Sequence, residues 1–172
     1  MTAPSPEKQF HNIEPFFCDS SRVLIVGSFP SPRSRETGFF YGHPSNRFWQ
    51  VISYVSGYPV PHDIPEKKEL LTNTGIALWD MAAECVITGA SDSSIREVVF
   101  NRIDTIVNSV PIEAAVFNGN TSYSLFRRSG ICLRDDVAIF HMPSTSAANA
   151  SFGLDRLISS WSEAIMPYIN RC

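Results

Sequence analysis

The stretch GSFPSPRSRETGFFYGHPSNRFW, residues 27–49, directly follows the apolar run RVLIV and gathers six aromatic residues, three prolines, three glycines and three arginines. Pro30 and Pro32 stiffen the chain and remove backbone donors, while Gly27 lets the backbone pass close to a neighbour. The amides of Ser28 and Phe29 remain free to point at a ligand oxygen. Tyr41, set between Phe40 and Gly42 in a segment without periodicity, offers a flat surface for stacking. Phe48 and Trp49 stand at helical spacing with Ile52 and belong to a core, and Ser45 or Asn46 is placed to cap that helix. A second loop, HMPSTSAANAS, carries Ser144, Thr145 and Ser146 beside free amides, a set suited to holding a phosphate without many lysines. Flat rings, aimed amides and small hydroxyls are the requirements of a nucleobase pocket, where stacking supplies affinity and hydrogen bonds to the base edge supply discrimination.

Other chemistries fit less well. A dinucleotide site needs GxGxxG after the first strand, and GSFPSP has one glycine before two prolines; a phosphate-cradling GxxxxGK[ST] is absent as well. The string nearest to a GxSxG nucleophile elbow, GASDS at 89–93, fails at its last position. Ser144 and His141 form a candidate nucleophile pair, although a histidine closing an apolar strand is more often structural. Cys18, Cys85, Cys132 and Cys172 are scattered singly, with no CxxC and no histidine at ligand spacing, so they read as reduced thiols and not as a zinc or iron–sulfur site.

The elements that must position these loops are legible as four short apolar runs, Arg22–Val26, Gly75–Trp79, Ala114–Phe117 and Val137–Phe140. Continuous runs of this kind suit strands covered on both faces. Helical patterns lie between them: Asn46–Val55, residues 93–110 after candidate caps Asp92 and Ser93, Asn120–Arg128 ending at Gly130, and Leu154–Ile169. PVPHDIPEKKE (59–69) reads as a surface loop, and residues 1–10 as poorly ordered. The expected fold is therefore α/β, a three-layer α/β/α sandwich around a central four-stranded parallel sheet, in one domain spanning 1–172. Ligands of such sheets collect at the carboxyl ends of the strands. Those ends are followed by GSFPSPRS, WDMAAE, NGNTS and HMPSTSAANAS.

At 44% hydrophobic and 18% charged residues the chain is globular, with no apolar stretch of membrane-spanning length and no signal layout at its start, which reads as cytoplasmic. A net charge of −3 argues against coating nucleic acid by bulk electrostatics. Residues 27–49, with Arg33, Arg35 and Arg47 against Glu36, are locally basic.

Together, GSFPSPRSRETGFFYGHPSNRFW and MPSTSAANA resemble the two signature motifs of the uracil-DNA glycosylase superfamily. The resemblance is closest to its hypoxanthine-DNA (deoxyinosine) glycosylase branch and more distant to the mismatch-specific uracil enzymes, and it spans nearly the whole chain. The mismatch-specific uracil enzymes carry, in the first motif, an asparagine that positions the attacking water; here that place is Phe29. The resemblance moves the role to the asparagine of the HPxNxFW string, Asn46, acting as an orienter of water and not as a base. Met142 likewise replaces the histidine that begins the second motif, so His141 does not inherit its function.

The resemblance further implies a base pocket of Gly27, Ser28, Phe29, Tyr41, Asp80 and Asn118. Tyr41 would stack on the flipped base and Asp80 would either accept a ring N–H or only cap local structure. DNA contacts fall to Ser31, Arg33, Ser34, Ser144, Thr145 and Ser146, with Ala147, Ala148 and Asn149 as a shallow wedge. It implies a monomer that acts on DNA containing a deaminated base without metal or cofactor. A binding module without chemistry, and a small-molecule hydrolase using Ser144, are the alternatives.

Overall fold

A computed structural model of the protein describes residues 3–172. Its centre is a four-stranded parallel sheet in the order β3 (Ile76–Asp80), β2 (Val23–Gly27), β6 (Ala114–Asn118), β7 (Ala138–Met142). Strand β2 is buried along its whole length, because it is flanked by strands on both edges and by helices on both faces.

The two faces of the sheet sort by alternation. Val23, Ile25, Ala114 and Val116 join Phe48, Trp49 and Ile52 of α2 (Phe48–Ser56), Leu71 of α3 (Ile64–Thr74), and Leu157, Trp161 and Ile165 of α6 (Leu154–Ile165). Leu24, Val26, Ala115 and Phe117 join Ile103, Ile106 and Val107 of α4 (Ile103–Ser109) and Leu125 and Phe126 of α5 (Asn120–Ser129). Successive side chains of a strand point to opposite faces, so one apolar run serves two cores. The expected three-layer sandwich and its four-stranded parallel sheet are the observed ones.

Several local expectations are corrected. Residues 93–110 are not one helix: a 3₁₀ turn at Asp92–Ser94 leads into strand β5 (Arg96–Phe100), and only Ile103–Ser109 is helical. Val98 and Val99 favour extended backbone, and β5 pairs antiparallel with β4 (Ala82–Thr88), whose first three residues belong to the expected loop WDMAAE. Residues 6–10, expected to be poorly ordered, form β1 (Pro6–Phe10) and pair along their full length with β4; residues 1–2 lie outside the described residues. The resulting β1-β4-β5 sheet contributes Cys85 and Ile87 to the second core. The 59–69 loop ends early, since Asp63 caps α3 by accepting from the Glu66 amide and Pro65 occupies the first turn, where no N–H is needed. Helix α6 stops at Ile165, short of the expected Ile169.

Candidate active site

The carboxyl ends of β2, β3, β6 and β7 open into one cavity of about 920 Å³. It is lined by Gly27, Ser28, Phe29, Ser31, Ser34, Tyr41, Asn46, Asp80, Asn118 and the loop Ser144–Asn149. All but one of the residues named from the sequence thus converge. The exception is Arg33, which stands exposed on α1 (Pro32–Thr37) and pairs with Glu36 at 3.2 Å.

Gly27 is where β2 passes closest to its neighbour. A Cβ there would lie 2.2 Å from Asp80 Oδ1, so only glycine leaves that carboxylate oxygen in place. Asp80 is buried and its Oδ2 is bonded to His11 Nε2 at 2.8 Å. The Ile13 amide donates to His11 Nδ1 at 3.3 Å, which assigns the lone pair to Nδ1 and the proton to Nε2. His11 therefore donates to Asp80, and Asp80 Oδ1 is left as an acceptor beside Gly27.

Tyr41 has a positive φ of 51°, unusual for an aromatic residue, and is pinned there by Trp49 Nε1 donating to its carbonyl at 3.2 Å. Its ring stacks on Phe48 at a centroid distance of 3.9 Å and an interplanar angle of 18°. The phenol oxygen is buried and finds no hydrogen-bond partner among the described residues; the Asn118 amide approaches it without a bond of proper geometry. Burial first, then the charge of Asp80 and more weakly that of Asp92, raises its pKa, partly offset by Asn118, so it remains an O–H donor. The Ser28 and Phe29 amides also donate to no group among the described residues.

Asn46 is locked by a chain of hydrogen bonds whose polarity is set at both ends by backbone amides. Its Oδ1 accepts from the Phe48 amide at 2.9 Å and from Thr145 Oγ1 at 2.9 Å. Asn118 Oδ1 accepts from the Thr145 amide at 3.0 Å, so Asn118 Nδ2 donates to Thr145 Oγ1, also at 3.0 Å. A hydroxyl that accepts from Asn118 must give its single proton to Asn46. Both lone pairs of Asn46 Oδ1 are thereby occupied, and Nδ2, with no protein acceptor among the described residues, is the end available to a ligand. Asn46 thus holds the first amide of α2 through its oxygen, one residue ahead of the N-cap Arg47, and is a donor through its nitrogen.

This arrangement corrects two of the expected phosphate contacts. Thr145 is fully buried with its hydroxyl spent between Asn46 and Asn118. Ser34 is buried too, its Oγ bonded to Ser31 Oγ and accepting from the Gly42 amide at 2.9 Å. Neither hydroxyl reaches outward. Phe29 is a buried wall residue under the Arg35 guanidinium, 5.3 Å from ring to Arg35 Cζ. The Ser144–His141 pair does not form: His141 bonds Asn120 Oδ1 at 2.8 Å and stacks on Tyr123, and Ser144 Oγ accepts from the Ser146 amide.

Two residues that shape the site are not marked in the sequence. His11 lies 69 residues from Asp80, and no local pattern marks it. Asp92, expected only as a helix cap, lines the cavity and accepts from Ser28 Oγ at 2.5 Å. It sits at the rim with its carboxylate turned inward. Lost hydration, then the nearby Asp80 charge, raises its pKa, while the Ser28 hydroxyl works the other way.

Strand ends that open into one cavity between an aromatic wall and a hydroxyl-rich loop are an arrangement able to take up a base or nucleoside group. The family model of the uracil DNA glycosylase superfamily matches residues 14–163, and the chain belongs to that superfamily. A hypoxanthine DNA glycosylase of Methanosarcina acetivorans is 30% identical over 142 residues, covering 80% of this chain and 87% of the relative. A protein of the same name from Methanosarcina barkeri is 27% identical over 110 residues, covering 63% and 70%. The solution NMR structure of a candidate uracil DNA glycosylase from Methanosarcina acetivorans superposes with a TM-score of 0.74 at 27% identity, over 91% of this chain and 95% of that one.

Proposed function

We propose that this DNA glycosylase removes deaminated bases, hypoxanthine foremost, by hydrolysing the N-glycosidic bond of a nucleotide flipped out of the duplex. Deamination converts an amino group beside a ring-nitrogen lone pair into a carbonyl beside an N–H. Hypoxanthine, xanthine and uracil all carry this lactam edge, whereas adenine and cytosine carry its inverse. The observation that carries the reading is the complementary edge on the cavity wall. Asp80 Oδ1, held as an acceptor by His11, suits the ring N–H, and the Ser28 and Phe29 amides suit the carbonyl. The names of the Methanosarcina relatives support hypoxanthine within that class. Guanine and thymine share the lactam edge and are spared because flipping a well-paired base costs more.

In this reading the base stacks on the face of Tyr41 turned away from Phe48. As the base leaves, positive charge builds on the sugar, and the anionic DNA stabilises it. Asn46 Nδ2 donates to the oxygen of a water, leaving that water a second lone pair for the sugar carbon. An amide does not titrate, so Asn46 orients and does not deprotonate. The site is complete within one chain and is read as a monomer that needs no metal or cofactor, acting in the cytoplasm.

The test is a panel of duplexes carrying inosine, xanthine, uracil or a thymine mispair, scored for abasic product with the wild type and with Asn46→Ala. Cleavage of inosine by the wild type and its loss in Asn46→Ala with DNA binding retained is the expected result. Absence of abasic product from every duplex would leave only a binding module.

A further inference from the structure

Arg47 follows the proposed water-holding residue and is half-buried, yet no carboxylate pairs with it among the described residues. Its guanidinium is spent on backbone carbonyls of the second loop. Nε donates to Thr145 O at 3.3 Å, Nη2 to Ser146 O at 2.7 Å and Asn149 O at 3.1 Å, and Nη1 to Phe152 O. The Arg47 amide adds a bond to Thr145 O at 3.0 Å. A planar guanidinium with five fixed donors can gather four carbonyls in this way, whereas an ammonium is a point charge with three.

In a trans peptide the N–H points opposite to the preceding C=O, and no peptide bond among the described residues is cis. Each carbonyl drawn toward Arg47 therefore turns the next amide away from it. For Ser146, Asn149 and Phe152 those amides belong to Ala147, Ala150 and Gly153. All three residues are exposed, and none of the three N–H groups has a partner among the described residues. The positive charge behind the loop and the outward N–H groups in front of it act in the same direction, toward an anion.

We propose that Arg47 is a positioning residue that gives the second loop its phosphate-binding polarity, with the amides of Ala147, Ala150 and Gly153 as the contacting groups. This rests on the reading of the chain as a DNA glycosylase and deepens it. It names what grips the backbone in a protein of net charge −3 whose expected hydroxyl grip, Thr145, is buried.

The test uses the full chain and a duplex containing a tetrahydrofuran abasic analogue, which removes base recognition from the measurement. Arg47→Met is expected to weaken binding by about tenfold or more, the worth of one charge-assisted contact, and Arg47→Lys to recover only part of it. In ¹⁵N spectra of the wild type, the duplex should shift the Ala147, Ala150 and Gly153 amides strongly, and Arg47→Met should abolish those shifts while its other resonances stay in place. Wild-type affinity in a folded Arg47→Met variant overturns the proposal. So do unshifted amides in the wild-type complex, a measurement that holds even if the variant does not fold. Failure of the wild type to release a base from any duplex of the inosine, xanthine, uracil and thymine-mispair panel would instead refute the underlying reading.

Discussion

Thr145→Val isolates the hydrogen-bond chain from packing, because valine fills nearly the same volume and lacks only the hydroxyl. Thr145 is fully buried, so no water replaces what is lost. Two bonds disappear, to Asn46 Oδ1 at 2.9 Å and from Asn118 Nδ2 at 3.0 Å, and the Asn118 donor is left unsatisfied. At roughly 1 kcal/mol per bond and a further 1 kcal/mol or so for the stranded donor, stability should fall by about 3 kcal/mol. For a chain of this size that corresponds to a Tm lower by roughly 6–12 °C. Asn46 keeps only the Phe48 amide, and its Nδ2 is no longer aimed by two constraints. A tenfold to hundredfold loss in rate, about 1.4–2.7 kcal/mol of barrier, follows. The assay is single-turnover cleavage of an inosine duplex at saturating enzyme, well below the lowered transition. Thr145→Ser serves as the rescue, since it keeps the hydroxyl and should cleave within about threefold of wild type while losing roughly 1 kcal/mol for the missing methyl. A Thr145→Val enzyme that is less stable but cleaves at the wild-type rate would refute the chain as the device that orients Asn46. A Thr145→Ser enzyme as slow as Thr145→Val would assign the effect to packing.

Gly27→Ala places a Cβ 2.2 Å from an Asp80 oxygen whose carboxylate is tethered to His11, so inosine cleavage should fall by at least about tenfold. Single-turnover rates, with ¹⁵N spectra to confirm the fold, check it, and near-normal cleavage would show that Asp80 yields freely. Asp92→Asn tests the carboxylate at the cavity rim. A pKa raised in the folded state means the charged form is disfavoured there, a penalty absent below the unfolded pKa of about 3.9 and complete above the folded value. The variant should therefore melt above wild type at pH 7, with the gap closing as pH falls toward 4. A gap that stays constant over that range would contradict the assignment.

The second loop shows where sequence reading stops. PSTSAANA was legible as a loop rich in hydroxyls and amides at a strand end, and all of Ser144–Asn149 does line the cavity. Which hydroxyls face outward was not legible, since a buried and an exposed threonine look alike in one dimension. Thr145 and Ser34 turned out to be internal struts. Strands β4 and β5 were missed because short apolar segments with little periodicity fit a helix or a strand equally well, and their pairing is decided by partners elsewhere in the chain.

What the sequence by itself determined about this protein is the order of its layers and the place of its pocket. Runs such as VLIVG demand cover on both faces, and a parallel sheet presents its loops at one end. The aromatic-rich first loop and Asn46 follow from that placement. What only the tertiary structure decided is direction: His11 fixing Asp80 as an acceptor, Asp92 entering the cavity from the β4–β5 connection, Thr145 turning the Asn46 amide, and Arg47 turning the loop's carbonyls inward. Each depends on a hydrogen bond between residues far apart in the chain. The polarity of such a bond is set by which group lies opposite, and folding alone brings the two together.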